Sequence, residues 1–335
     1  MSSGRWTWVG ALWLACCAAA CASSPSASSS SALPAEPSAV EMLSRPEATP
    51  DVLRGERLLS EGHVAEAEQV FRQAVADDPD DARAWLDLGL VHEAKQRFPE
   101  AEAAYRRAVE IDSAFAEAFN NLGVLLREGG ELPEATIALE RAVALYPELT
   151  AARFNLGLAY EDQGRFSDAE RQYLITIEQL PGDPVPRINL AMMYLELERP
   201  DDAATQLRAA RPHVRGDVLL SIAVGEGLRR AGAPTEAVSV LEAALRQAGE
   251  PPPTELVAEL ALAYYASGDL DRAEETMRRA VGQDERDPAL QYAYGSILAK
   301  RGEIGKARSH LLRAAKLDPD GPYAARARAR LDALK

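Results

Sequence analysis

Cysteine is nearly absent from this chain. The 335 residues contain three, Cys16, Cys17 and Cys21, and none follows. The body of the chain can therefore build no disulfide framework and no thiolate metal site. Histidine is almost as scarce, with His63, His92, His213 and His310 scattered along the chain. His92-Glu93 opens like the zinc-protease motif H-E-x-x-H, but Gln96 stands where the second imidazole belongs. A metal-binding helix needs both histidines one turn apart on one face. There is no glycine-rich phosphate loop, no C-x-x-C and no G-x-S-x-G, which removes the commoner nucleotide-binding, redox and acyl-transfer constellations. No catalytic residue, cofactor, metal or small-molecule substrate is expected.

Basic charge is also in deficit. Lys and Arg number 37 against 52 Asp and Glu, a formal net charge of −15. Nucleic acid rewards clustered cations, so a nucleic-acid partner is not expected. Anionic lipid would repel the domain for the same reason. The apolar run from Trp6 to Ala20 is too short to span a bilayer and carries no charge.

What the chain does have is a period. Ala67, Ala101, Ala135, Ala169, Ala203 and Ala237 are each 34 residues apart, and Ala273 and Ala307 continue the series after a two-residue slip. A second ladder keeps step: Gly55, Gly89, Gly123, Gly157, Ala191, Gly225, Ala261 and Gly295. A fixed period of this length marks a stack of like supersecondary units. In the unit from Ala116 to Leu149, Phe119, Leu122, Gly123 and Leu126 are spaced i, i+3, i+4 and i+7, the pattern of an amphipathic helix. A second such patch, Ala135, Leu139 and Ala142, follows Glu128-Gly129-Gly130-Glu131. Each unit is thus expected to be two helices joined by a tight turn, with glycine closing the first. The small residues at positions 8 and 20 of the unit mark where the two helices cross closely.

The pattern resembles the tetratricopeptide repeat, whose signature is W-x2-L-G-x2-Y, then A-x3-F, then P. Trp85, Leu88, Gly89, Ala101 and Tyr105 carry it in one unit; Leu156, Gly157, Tyr160, Ala169, Tyr173 and Pro181 carry it in another. The resemblance implies an all-α, right-handed solenoid of eight helix-turn-helix repeats over residues 48–81, 82–115, 116–149, 150–183, 184–217, 218–251, 254–287 and 288–321. A helix over 322–335 is expected to cap the last apolar face. The fifth unit lacks its closing proline and carries Pro212 instead, which should end its second helix early. The slip falls in Gly249-Glu250-Pro251-Pro252-Pro253. The two junctions are either tolerated loop insertions or a hinge between the first five units and the rest.

Residues 1–20 resemble a bacterial lipoprotein signal peptide. Ala18-Ala19-Ala20 precede Cys21, which becomes the lipidated residue; Leu14-Ala15-Cys16-Cys17 is a rival site. Residues 21–47, rich in Ser, Ala and Pro, read as a disordered tether. The resemblance implies anchorage in the bacterial cell envelope, facing the periplasm. Ala22, where Asp would signal inner-membrane retention, favours the outer membrane.

In tetratricopeptide stacks the first helix of each unit lines a concave groove that holds partner polypeptides. By that resemblance Asn121, Asn155 and Asn189 recur at position 6, Phe154 and Ile188 at position 5, and Val124, Leu158 and Met192 at position 9. The asparagines resemble the ladder in the repeat domain of O-linked N-acetylglucosamine transferase, and an amide can both donate to and accept from a peptide backbone. The lysine and asparagine of the chaperone-binding carboxylate clamp, at positions 5 and 9, are missing from every unit. The expected function is a non-enzymatic, protein-binding scaffold. Alternatives are an escort resembling the type IV pilus pilotin lipoproteins, which have fewer repeats, and an accessory subunit of a cell-wall or exopolysaccharide synthesis enzyme.

Overall fold

The computed structural model describes residues 46–334. The expected signal peptide, Cys21 and all but the last two residues of the expected tether lie outside the described residues. Among those described there are 17 α-helices, one 3-10 turn and no strand. The chain forms two compact units that divide after Leu180.

The first unit contains α1 (Pro50–Ser60), α2 (Val64–Asp77), α3 (Ala82–Ala94), α4 (Phe98–Ile111), α5 (Ala116–Glu128), α6 (Leu132–Leu145), α7 (Thr150–Asp162) and α8 (Phe166–Gln179). They pack as antiparallel pairs, and the sequence explains how closely. A Cβ placed on Gly55 would lie 2.4 Å from the Phe71 ring, and one on Gly89 2.4 Å from Tyr105. The same construction gives 2.6 Å from Gly123 to Leu139 and 2.7 Å from Gly157 to Tyr173. The side chain 16 residues on therefore rests directly on the glycine backbone, where no other side chain fits. Phe71, Tyr105, Leu139 and Tyr173 are all fully buried, as are Ala67, Ala101, Ala135 and Ala169. The crossings join into cores that run from one repeat into the next: Phe71 shares one with Leu88 and Val91, and Tyr105 another with Leu122 and Ala135.

Proline or a capping aspartate starts many helices. Pro99, Pro133, Pro200 and Pro234 occupy first-turn positions, where no amide hydrogen is needed. Asp81, Asp217, Asp269 and Asp287 accept from first-turn amides. The turn inside each repeat demands a left-handed residue. Gly62, Gly130, Gly164, Gly232, Gly268 and Gly302 adopt φ between +73° and +90°, while Gln96 and Glu198 adopt +57° in the same place.

The second unit contains α9 (Val185–Glu196), α10 (Pro200–Ala210), α11 (Val218–Arg230), α12 (Pro234–Gln247), α13 (Thr254–Ser267), α14 (Leu270–Gln283), α15 (Pro288–Lys300), α16 (Ile304–Leu317) and α17 (Pro322–Asp332). Its crossings repeat the scheme, with Leu241 against Gly225 and Leu311 against Gly295. At Pro212 the regular helix stops: α10 ends at Ala210 and a 3-10 turn, Arg211–His213, follows. That turn and the slip at residues 249–253 both lie inside the second unit, and helices pack across each. The last helix, α17, lies on α16 and α15 and buries Ala324 and Ala327. Tyr323 meets Tyr292 with ring centroids 6.1 Å apart, and Leu331 and Leu334 pack against Leu311 and Ala314.

Two stability tests follow from this packing. Gly157→Val must displace the buried Tyr173 ring and should cost about 2–3 kcal/mol in urea unfolding. Gly182→Ala, with nothing within 4 Å, should change stability little; equal losses would show that the close crossing is not the constraint. Conversely, Gln96→Gly relieves a left-handed side-chain residue and should stabilise by about 1 kcal/mol. A lower melting temperature for that variant would contradict the strain assigned to the turn.

Candidate functional site

The candidate site is the face presented by the first helix of each repeat. In the first unit α5 and α7 pack side by side, which brings three asparagines together. Asn155 Nδ2 donates to Asn120 Oδ1 at 2.9 Å, and Asn120 Nδ2 donates to Asn121 Oδ1 at 3.0 Å. Asn155 and Asn120 are buried; Asn121, at the outer end of the relay, is half-buried. Val124 and Leu158 on the same two helices are also half-buried and accessible.

Four expected groove residues, Phe154, Asn155, Ile188 and Asn189, are buried. Phe154 is 6% exposed, its ring 5.8 Å from that of Tyr173, and Ile188 is 1% exposed. Position 5 points inward here, so both belong to the core and cannot form the floor of a groove. In the second unit Asn189 turns its amide onto its own helix, donating to the Val185 carbonyl at 2.9 Å. Met192 is half-buried, with Arg230 Nη1 3.8 Å from its sulfur. The structure also adds Asn120, which the sequence reading passed over. Its signal was visible: at position 5 Val52, Leu86, Phe154 and Ile188 are apolar, and Asn120 breaks the pattern with an amide that needs a partner.

The face is electrostatically uneven. Burial pushes the Glu93 carboxyl above the usual carboxylate range, although it accepts a hydrogen bond from Tyr105 Oη at 2.8 Å. Burial also raises Glu128, and the negative charge of Glu93 raises it further. Glu161 accepts from Tyr173 Oη at 2.6 Å. Burial and then the neighbouring carboxylates push the Tyr105 and Tyr173 phenols well above their ordinary value.

Glu68 shows the opposite balance. Burial works to raise it, but hydrogen bonds and charge from Lys95 and Arg97 prevail and hold it at about 2. Arg97 and Arg72 each approach its Oε1 at 2.8 Å, and Lys95 binds Oε2. Beside this group His92 is 6% exposed, and burial lowers its pKa, so it is neutral at pH 7. Among the described residues no group of three or more His, Cys, Asp and Glu has metal-binding geometry. None of the described helices is long and apolar enough to cross a membrane.

Compared with known families, the chain matches the tetratricopeptide repeat model over residues 52–114, 121–184, 188–252 and 258–322, well over half its length. The chain belongs to the tetratricopeptide repeat family. No curated protein matches it by sequence. Among solved structures it is similar to a tetratricopeptide repeat protein from Parabacteroides merdae, at 16% identity over 74% of this chain and 97% of that one, with a TM-score of 0.54. It is similar also to PilF of Pseudomonas aeruginosa, at 18% identity over 75% and 96%, TM-score 0.50. PilW, described as a widely conserved type IV pilus biogenesis factor, matches at 23% identity over 62% and 98%, TM-score 0.53. These likenesses show an all-α tetratricopeptide solenoid. Tetratricopeptide repeats mediate protein–protein interaction, and proteins built from them are generally non-catalytic scaffolds.

The Glu68 cluster supplies a pH test. A carboxylate held at about 2, against an ordinary value of about 4.5, contributes stability above pH 4.5 that is lost as pH falls towards 2. Glu68→Gln should lower the melting temperature by a constant amount above about pH 5, and the gap to wild type should close between pH 4.5 and 2. A gap that does not change with pH would show that Glu68 is not held ionised by its three cations.

Proposed function

We propose that this tetratricopeptide protein is a lipid-anchored scaffold of the bacterial cell envelope, holding a partner polypeptide on the first-helix face of its repeats. The observation that carries the binding site is the amide relay of Asn155, Asn120 and Asn121. Its buried members fix the outer amide, and that amide sits beside accessible Val124 and Leu158. An oriented amide next to apolar side chains suits a polypeptide, offering hydrogen bonds to its backbone and contact to its side chains. In the second unit Met192 is accessible at the corresponding position, while Asn189 is buried with its amide held by Val185.

The anchor rests on sequence: Ala18-Ala19-Ala20-Cys21 followed by a Ser-, Ala- and Pro-rich stretch, with Ala22 favouring the outer membrane over the inner. The pathway to test first is pilus assembly, since PilW, a type IV pilus biogenesis factor, shares the fold. Cell-wall or exopolysaccharide synthesis is the second.

Crosslinking in native membranes identifies the partner and so selects the pathway. Calorimetry with that partner then tests the face. Asn121→Ala combined with Leu158→Ser should weaken binding at least about tenfold with helicity unchanged, because a buried interface loses both a hydrogen bond and apolar contact. Unaltered affinity would move the binding surface off the first helices. For the anchor, Cys21→Ser should leave an unlipidated protein in the soluble fraction; a lipid mapped to Cys16 or Cys17 would overturn the assignment.

A further inference from the structure

Charge is distributed very unequally along this chain. Residues 46–180 hold 27 acidic side chains against 13 basic, a net −14; residues 181–335 hold 23 against 22, a net −1. Nearly all of the net charge therefore belongs to the first compact unit.

The imbalance reaches the binding face itself. In α3, α5 and α7 there are six carboxylates, Asp87, Glu93, Glu117, Glu128, Glu161 and Asp162, and three arginines. All three arginines are engaged within the unit. Arg83 binds Glu56 at 2.6 Å and the Pro46 carbonyl at 3.3 Å. Arg127 binds Asp162 at 3.3 Å. Arg153 donates to Gln172 at 3.2 Å and to the Pro147 carbonyl at 2.8 Å. Arg127 attracts Glu128 but is shared with Asp162, and none of the three bonds to Glu93, whose charge repels Glu128 of the next repeat. The corresponding helices of the second unit, α9, α11, α13 and α15, carry four acids and four bases. There Glu259 is matched by Arg229 at 2.5 Å and Glu226 by Arg230 at 3.5 Å.

Six carboxylates against three arginines leave this face with surplus negative charge, and a cation from outside would relieve the repulsion. A face with surplus charge also accelerates encounter with the opposite charge and repels the same charge. We infer that the segment held on the first-helix face of residues 46–180 is cationic, a Lys- or Arg-bearing extended polypeptide whose basic side chains meet Glu93 and Glu128 while apolar neighbours meet Val124 and Leu158. The inference rests on the first-helix face being the binding surface, and adds the chemistry of what it binds. An acidic segment is disfavoured on that face.

The test uses the full chain in detergent with two fluorescein-labelled probes, an alternating lysine–valine peptide and its glutamate–valine counterpart, followed by fluorescence anisotropy. The lysine–valine peptide should bind, with affinity falling as salt rises, and the glutamate–valine peptide should not. Glu93→Gln combined with Glu128→Gln should weaken lysine–valine binding about tenfold and flatten its salt dependence. Glu148→Gln with Glu178→Gln removes the same charge from exposed positions off this face and should leave binding nearly unchanged. Equal losses from both pairs would show diffuse charge attraction and overturn the inference, as would tight binding of the glutamate–valine peptide. Leu158→Ser separates the two levels. Binding that responds to it but not to the Glu93 and Glu128 changes keeps the face and rejects its cationic specificity. Binding that responds to neither rejects both.

Discussion

Everything in this molecule depends on one contact, the side chain at position 24 of a repeat lying against the bare backbone at position 8. Where that backbone is glycine, a Cβ would stand 2.4–2.8 Å from its neighbour, inside van der Waals contact. Ala191 and Ala261 take the place of glycine in two repeats, where the facing residues are Leu207 and Met277, both fully buried. The contact fixes the distance between paired helices, and the alanine at position 20 lets them cross there. With the crossing fixed, α5 and α7 of the first unit lie side by side. Asn155 can then reach Asn120 across 35 residues of sequence.

Because the crossing distance is set by residues of one repeat, irregularity in the connectors is tolerated. The 3-10 turn at Arg211–His213 and the longer connection before Thr254 change the connectors. The buried pairs on either side, Ala203 with Leu207 and Ala237 with Leu241, remain fully enclosed. A stack held by contacts between neighbouring repeats accepts such insertions where a single large core would have to repack.

The fold was legible in the sequence because the crossing leaves a mark that survives divergence. Small residues at positions 8 and 20 have no substitute of other shape, so a period of 34 shows through even where charged positions vary freely. The site was less legible. Repeat position tells which way a side chain points only on average, so Phe154 and Ile188 looked like lining residues, although packing against the second helix draws them into the core. Asn120 was overlooked for the converse reason: position 5 is usually apolar, and only its pairing with Asn155 in the next repeat shows why an amide is there. The charge asymmetry was written in the sequence as well, but it acquires meaning only once the chain is seen to divide after Leu180 and α5 and α7 to pack side by side.

The buried tyrosines of the first unit carry a further consequence, for spectroscopy. Tyr105 and Tyr173 fill the crossings of their repeats and give their hydroxyl hydrogens to Glu93 and Glu161, so in the closed protein neither phenol can ionise near its ordinary value. Ionisation of these two rings in alkaline solution is favoured when a repeat opens and water reaches the ring. The helix crossing that builds the scaffold thus also sets these two rings apart from exposed tyrosines in how they answer to opening.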